Sequence, residues 1–119
     1  METCVSAKQG VRVRMLLTDC SGTAIDSFSV SAIRYTVYHV YLGQWTAVSG
    51  HTDVSVDVTS VTDVGTDEHS GDDYNFEHCI SMQESDPFPE RGSTYRVEYV
   101  FYDANGEASV PTEPLIFTT

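Results

Sequence analysis

Basic residues are scarce in this 119-residue chain: one lysine, Lys8, and five arginines, Arg12, Arg14, Arg34, Arg91 and Arg96, face 18 acids and leave a net charge of -12. So negative a surface repels phosphate backbones and anionic headgroups. This excludes nucleic-acid and membrane-surface binding as the main activity and leaves cationic partners and divalent metals open. A lysine-poor, aspartate-rich surface suits saline surroundings, where salt screens its self-repulsion. Cysteine is scarce too. Cys4, Cys20 and Cys79 are odd in number and share no CxxC spacing, so neither a secreted disulfide framework nor a zinc site is expected, and all three are read as thiols. Signal-peptide features are missing: Met1-Glu2-Thr3-Cys4 has an acid where positive charge is needed, and no long apolar run follows, so the expectation is a protein made and kept in a cytosol. No serine occupies a Gly-x-Ser-x-Gly elbow, no cysteine has an evident base, and nothing selects a carboxylate pair. The sequence therefore predicts no catalytic residue, no cofactor and no enzyme.

Helical spacing is also absent, and what is present is alternation. Val11, Val13, Met15 and Leu17 are predicted to face inward, followed by turn chemistry at Asp19-Cys20-Ser21-Gly22. From Ser31 to Tyr41, tyrosines and β-branched residues favour a pleated strand. It has Ile33, Tyr35, Val37, His39 and Tyr41 on one face and Ala32, Arg34, Thr36, Tyr38 and Val40 on the other. Leu42-Gly43-Gln44 reads as a hairpin loop with Trp45 to Val48 returning. Asp53 to Val58 sets three valines against acids and serine. Tyr74, Phe76, His78, Ile80 and Met82 alternate with Asn75, Glu77, Cys79 and Ser81, and Tyr95, Val97, Tyr99 and Phe101 alternate with Arg96, Glu98, Val100 and Tyr102. Asp103-Ala104-Asn105-Gly106 is a hairpin turn, and Leu115-Ile116-Phe117 is the last strand. With no linker or repeat, residues 1–119 are read as one domain, an antiparallel β-sandwich of about seven strands. Ser60 to Asp73 is expected to be a long acidic loop.

Gly92-Ser93-Thr94-Tyr95-Arg96-Val97-Glu98-Tyr99-Val100, then Asp103 to Thr112 and the closing Phe117-Thr118-Thr119, resemble the last two strands of fibronectin type III domains. Tyr35-Thr36-Val37-Tyr38 with Trp45 looks like the middle of the same immunoglobulin-like sandwich. The opening Val-x-Val-x-Met-Leu-Leu-Thr-Asp-x-Ser-Gly-Thr departs from that pattern and resembles small immunoglobulin-like proteins among the structural genes of tailed bacteriophages. The first resemblance implies a fold and the second a role. That role is a multi-copy virion component at the head, neck or tail, made in the host cytoplasm, packed against copies of itself and other particle proteins as a homo-oligomer. The alternative is a carbohydrate- or protein-binding accessory domain of a bacterial surface or secreted protein.

Three groups of residues are candidate sites. Asp63, Asp67, Glu68, Asp72 and Asp73 beside His69 could supply oxygens to calcium, against the commoner case of a solvated loop, and no EF-hand order is present. His39 and His78 are expected to be buried, hydrogen-bonded histidines. Tyr38, Tyr41, Val100 and Tyr102 are apolar groups beyond what one inner face absorbs, and they either lie under covering loops or contact a partner. Asp53, Asp57, Glu77 and Glu98 are expected on outward faces.

Overall fold

The alternating segments become hydrogen-bonded strands in the computed structural model, which describes residues 2–6, 10–19, 21–81, 86–111 and 115–119. In chain order they are β1 (Glu2–Ser6), β2 (Gly10–Met15), β3 (Ala32–Tyr41), β4 (Gln44–Ala47), β5 (Val54–Val56), β6 (Val61–Thr66), β7 (Asp73–Ile80), β8 (Thr94–Tyr102), β9 (Ala108–Ser109) and β10 (Leu115–Thr118). One sheet has the order β1-β2-β7-β6. The other has the order β10-β8-β3-β4, with β5 also pairing β3 and β9 pairing β8. Every ladder is antiparallel. The predicted antiparallel sandwich forms, with ten strands among the described residues instead of about seven.

Period two explains the core. Val11, Val13 and Met15 of the first sheet meet Ile33, Tyr35 and Val37 of the second, with Phe76 and Ile80 on one side and Tyr95, Val97, Tyr99 and Phe101 on the other, all buried. Each such side chain contributes roughly 1.5–3 kcal/mol of burial before ordering costs. Leu17 is buried and Leu16 exposed, as the alternation from Val11 requires. The β3–β4 hairpin turns through Leu42 (φ 48°) and Gly43 (φ 76°), the pair of positive φ values that matches strand twist in a two-residue turn. At the Asp103 turn only Gly106 (φ 81°) takes positive φ, while the Asp103 carboxylate accepts from the amides of Asn105 and Glu107.

Three expectations are corrected. Ser60 to Asp73 is not a loop: Val61–Thr66 pairs with β7 across a register shift between Val61 and Gly65, and only Ser60, which ends a 3-10 turn, and the turn from Asp67 to Asp72 are non-strand. As an edge strand with one buried position it has no alternation to betray it. The Asp53 to Val58 strand is only Val54–Val56 long, because the Asp57 carboxylate caps a 3-10 turn at Val58–Ser60 by accepting from the Thr59 amide. Asn75, predicted outward, is fully buried. The chain after β2 folds into a small hairpin closed by the Thr18–Ala24 bridge and the Ile25 amide on the Leu17 carbonyl, and at its base the Asn75 side-chain amide accepts from the Leu17 amide at 2.6 Å and donates to the carbonyls of Leu17 and Ile25, each at 2.9 Å. A predicted outward amide thus ties the Leu17–Ile25 hairpin to the sheet. The N-terminal segment supplies β1 as an edge strand. Lys8, Cys20, Met82 and residues 112–114 lie outside the described residues.

Candidate interaction surface

The β3–β8 ladder fixes which side chains share the outer face of the larger sheet. Tyr38 lies opposite Arg96 and Ala47, and Arg96 opposite Ile116. Directly opposed residues point to the same face, so Ile116, Arg96, Tyr38 and Ala47 form one row across four strands, about 14 Å wide at a strand spacing of 4.7–4.9 Å. One register step along, Val40 lies opposite Trp45 and Thr94. Trp45 is held from two sides: the Arg96 guanidinium sits 4.3 Å from its ring centroid, and the Tyr38 ring packs at 5.6 Å. Trp45 and Ile116 nevertheless leave 48% and 47% of their surface exposed.

Arg96 is incompletely satisfied. Its terminal nitrogen reaches Glu98 only at 4.0 Å, and its Nε is buried with no hydrogen-bond partner among the described residues. A desolvated donor of this kind costs roughly 1–3 kcal/mol when left unmade. On the outer face of the smaller sheet, Arg14 donates to Glu77 and Asp67 at 2.8 Å each and lies 4.4 Å from the Tyr74 ring centroid.

The four predicted contact residues separate into three places. Tyr38 is half-buried at the centre of the aromatic row. Val100 and Tyr102 are half-buried on the same face but at its far end, opposite Arg34 and Ala32, with Thr36 and Glu98 between them and Tyr38. Tyr41 has the parity of the inner face, but it ends β3 beyond the core and is 68% exposed, next to Leu42 at 85%. Sequence reasoning missed Trp45 and Arg96 as a pair because their contact crosses β3 and needs the register. It also passed over a signal in plain view: from Tyr35 to Thr52 the chain has no Asp, Glu, Lys or Arg, although 24 of its 119 residues are charged. That stretch includes the whole β3–β4 hairpin edge.

The other candidates are absorbed by the fold. His78 is half-buried and shares a 2.8 Å hydrogen bond between its Nδ1 and the Tyr99 hydroxyl. Burial lowers its pKa from 6.5 to about 4 and pushes Tyr99 well above 10. Tyr35, raised by burial, shares a 2.8 Å bond with Nδ1 of buried His51. His39 is half-buried as well, 3.5 Å from Glu90. The acidic turn is spent on its own geometry. Asp67, 3% exposed, accepts from the amides of Ser70 and His69, which hold its carboxyl below the usual range, and pairs with Arg14. Asp73 accepts from Thr66. Among the described residues no group of three His, Cys, Asp or Glu side chains is placed to hold a metal ion. An open cleft of about 1050 Å³ runs past Arg14, Leu17, Ile25, Tyr74 and Leu115, and the guanidinium on its wall is the one committed to Asp67 and Glu77.

Comparison with known proteins finds no matching family model, no similar curated protein and no similar solved structure. The surface is therefore interpreted from its own chemistry: a partly exposed sheet face bearing Tyr38 and Trp45 with one unsatisfied arginine, continuous with an uncharged sheet edge.

Proposed function

We propose that the chain is a non-enzymatic structural and interaction module of immunoglobulin-like build, packed in many copies in the head, neck or tail of a tailed bacteriophage. The observation that carries the interaction role is the row of Ile116, Arg96, Tyr38 and Ala47 with Trp45. Tyr, Trp and Arg are the residue types that dominate interface energetics, and strands already ordered in a sheet present them at little conformational cost. Two further features support the immunoglobulin-like build. The order β1-β2-β7-β6 against β10-β8-β3-β4 follows the ABED and CFG sheets of that sandwich, and the Tyr95 hydroxyl at the start of β8 bonds back to the main chain of Glu90, as in a tyrosine corner. The phage assignment rests on the resemblance of the opening segment. No metal or cofactor enters this reading.

The test is the composition of purified particles together with the gene's neighbourhood. The chain should be present in multiple copies per particle and encoded beside portal, capsid or tail genes. Its absence from homogeneous particles would end the reading. The half-exposed indole of Trp45 favours a second reading, a carbohydrate-binding accessory domain. That reading requires an exported parent protein and a tryptophan fluorescence change on adding oligosaccharide.

A further inference from the structure

The two sheets end in very different edges. β6 carries Asp63, a register shift and an acidic turn, devices that keep an edge from pairing with another chain. β4 has none of them. Its sequence Gln-Trp-Thr-Ala lacks charge and proline, all four residues are exposed, and its ladder with β3 is regular. In the two-residue hairpin, Gln44 and Thr46 direct their main-chain groups to β3, and the bond from the Val48 amide to the Val37 carbonyl continues that alternation. Trp45 and Ala47 consequently point their N–H and C=O groups outward, away from the sheet. The hairpin tip is also built at a cost: Leu42 holds a left-handed φ of 48° while 85% exposed, where Asn or Gly would be favoured on both counts.

We infer that β4 pairs antiparallel with β4 of a second copy of this chain, joining the two larger sheets into one across a two-fold axis at Thr46. This deepens the interaction role proposed above and rests on it only for its biological setting. Two arguments select a second copy as the occupant. Each chain carries a charge of -12, so two copies repel wherever acids face each other, and the uncharged stretch from Tyr35 to Thr52 is where they can approach. A register centred on Thr46 is also self-complementary. Trp45 of one copy lies beside Ala47 of the other, a large ring against a methyl, with both residues' outward groups exchanging hydrogen bonds, and each Leu42 tip reaches the other copy's uncharged Ser49–Gly50 turn. A partner chosen for the acidic surface would be basic and would gain nothing from this edge.

Sedimentation of the intact chain tests it. The expected species has twice the 13.1 kDa mass of the chain. Because its contact is uncharged between two anionic bodies, its dissociation constant should fall several-fold as salt shortens the screening length from about 10 Å at 0.1 M to about 3 Å at 1 M. Ala47→Pro removes the outward amide without touching the β3 ladder, and Trp45→Lys places charge on the edge. Both should be monomeric with the wild-type circular dichroism spectrum, and the amide of Ala47 should exchange more slowly at high protein concentration. A wild-type monomer at millimolar concentration in 1 M salt, or folded Ala47→Pro and Trp45→Lys dimers, would overturn the pairing. Such a monomer found in particles would leave the structural role standing, and a dimer absent from particles would leave the pairing standing without that role.

Discussion

Arg14 and Arg96 occupy equivalent settings on the outer faces of the two sheets, each over an aromatic ring at 4.4 and 4.3 Å, and they differ in what else holds them. Arg14 makes two 2.8 Å charged hydrogen bonds and closes β2 onto β7 and the Asp67 turn. Arg96 has a distant Glu98 and an unpartnered Nε. The first arginine is consumed by the fold and the second is left over from it. The same division runs through the molecule. The smaller sheet uses its polar groups internally, at Asn75, His78, Arg14 and Asp67, and the larger sheet leaves an aromatic face and an uncharged edge to its surroundings. Substitutions in the smaller sheet should therefore register in stability, and those in the larger sheet in association.

The largest stability effect is expected at Asn75. Asn75→Ala strands the Leu17 amide and the Ile25 carbonyl at the base of the Leu17–Ile25 hairpin, and urea unfolding should show a loss of about 3 kcal/mol, since buried groups without partners cost roughly 1–3 kcal/mol each. A loss below half a kilocalorie would mean the hairpin is not tied down there. Next is the pH response of His78. Its folded pKa of about 4 lies below its unfolded value of 6.5, so between those values the unfolded chain binds the extra proton. Its stability contribution is intact above pH 6.5, falls as pH drops, and is fully lost below pH 4. The linkage amounts to about 2 kcal/mol by pH 5. His78→Gln should remove that part of the slope in melting experiments run from pH 7 to pH 4.5.

The comparison is sharpest when the two arginines are exchanged for alanine in parallel. Arg14→Ala should lower the urea midpoint clearly, because it uncouples Asp67 and Glu77 from β2. Arg96→Ala should cost no more than about 1 kcal/mol, the scale of a cation–π contact that is not fully desolvated, while weakening association. Equal effects on stability would mean that Arg96 is as structural as Arg14.

How far the sequence disclosed this division depends on distance along the chain. Alternation in Val11 to Leu17, Ala32 to Val37 and Tyr95 to Tyr102 is local, so the inner faces and the two-sheet class could be read directly. β6 could not, because an edge strand whose residues are mostly exposed carries polar residues at successive positions and looks like a loop. Asn75 could not, because what buries it arrives from 50 residues or more away. For the site, Tyr38 was legible as an outward aromatic. Trp45 and Arg96 needed the β3–β8 register, and Tyr41 fell among the candidates although its parity is inward, because alternation does not say where along a strand the core ends. The uncharged stretch from Tyr35 to Thr52 was fully visible, and its meaning depended on knowing that it forms an edge.

The smallest expected effect separates fold from function most cleanly, because the two change in opposite directions. Leu42 is a poor residue for its conformation, and its 85% exposure gives the isolated chain little in return. Leu42→Asn should therefore raise the unfolding free energy by about 1 kcal/mol, the approximate cost of a side chain such as leucine in left-handed backbone, while removing an apolar contact from the hairpin tip and loosening the dimer several-fold. Thermal unfolding at low concentration and sedimentation at high concentration read the two separately. A variant both more stable and equally associated would place Leu42 outside the contact and confine pairing to the four residues of β4. A variant less stable would mean that the tip packs within its own chain, and the uncharged hairpin would then belong to the fold as fully as Arg14 does.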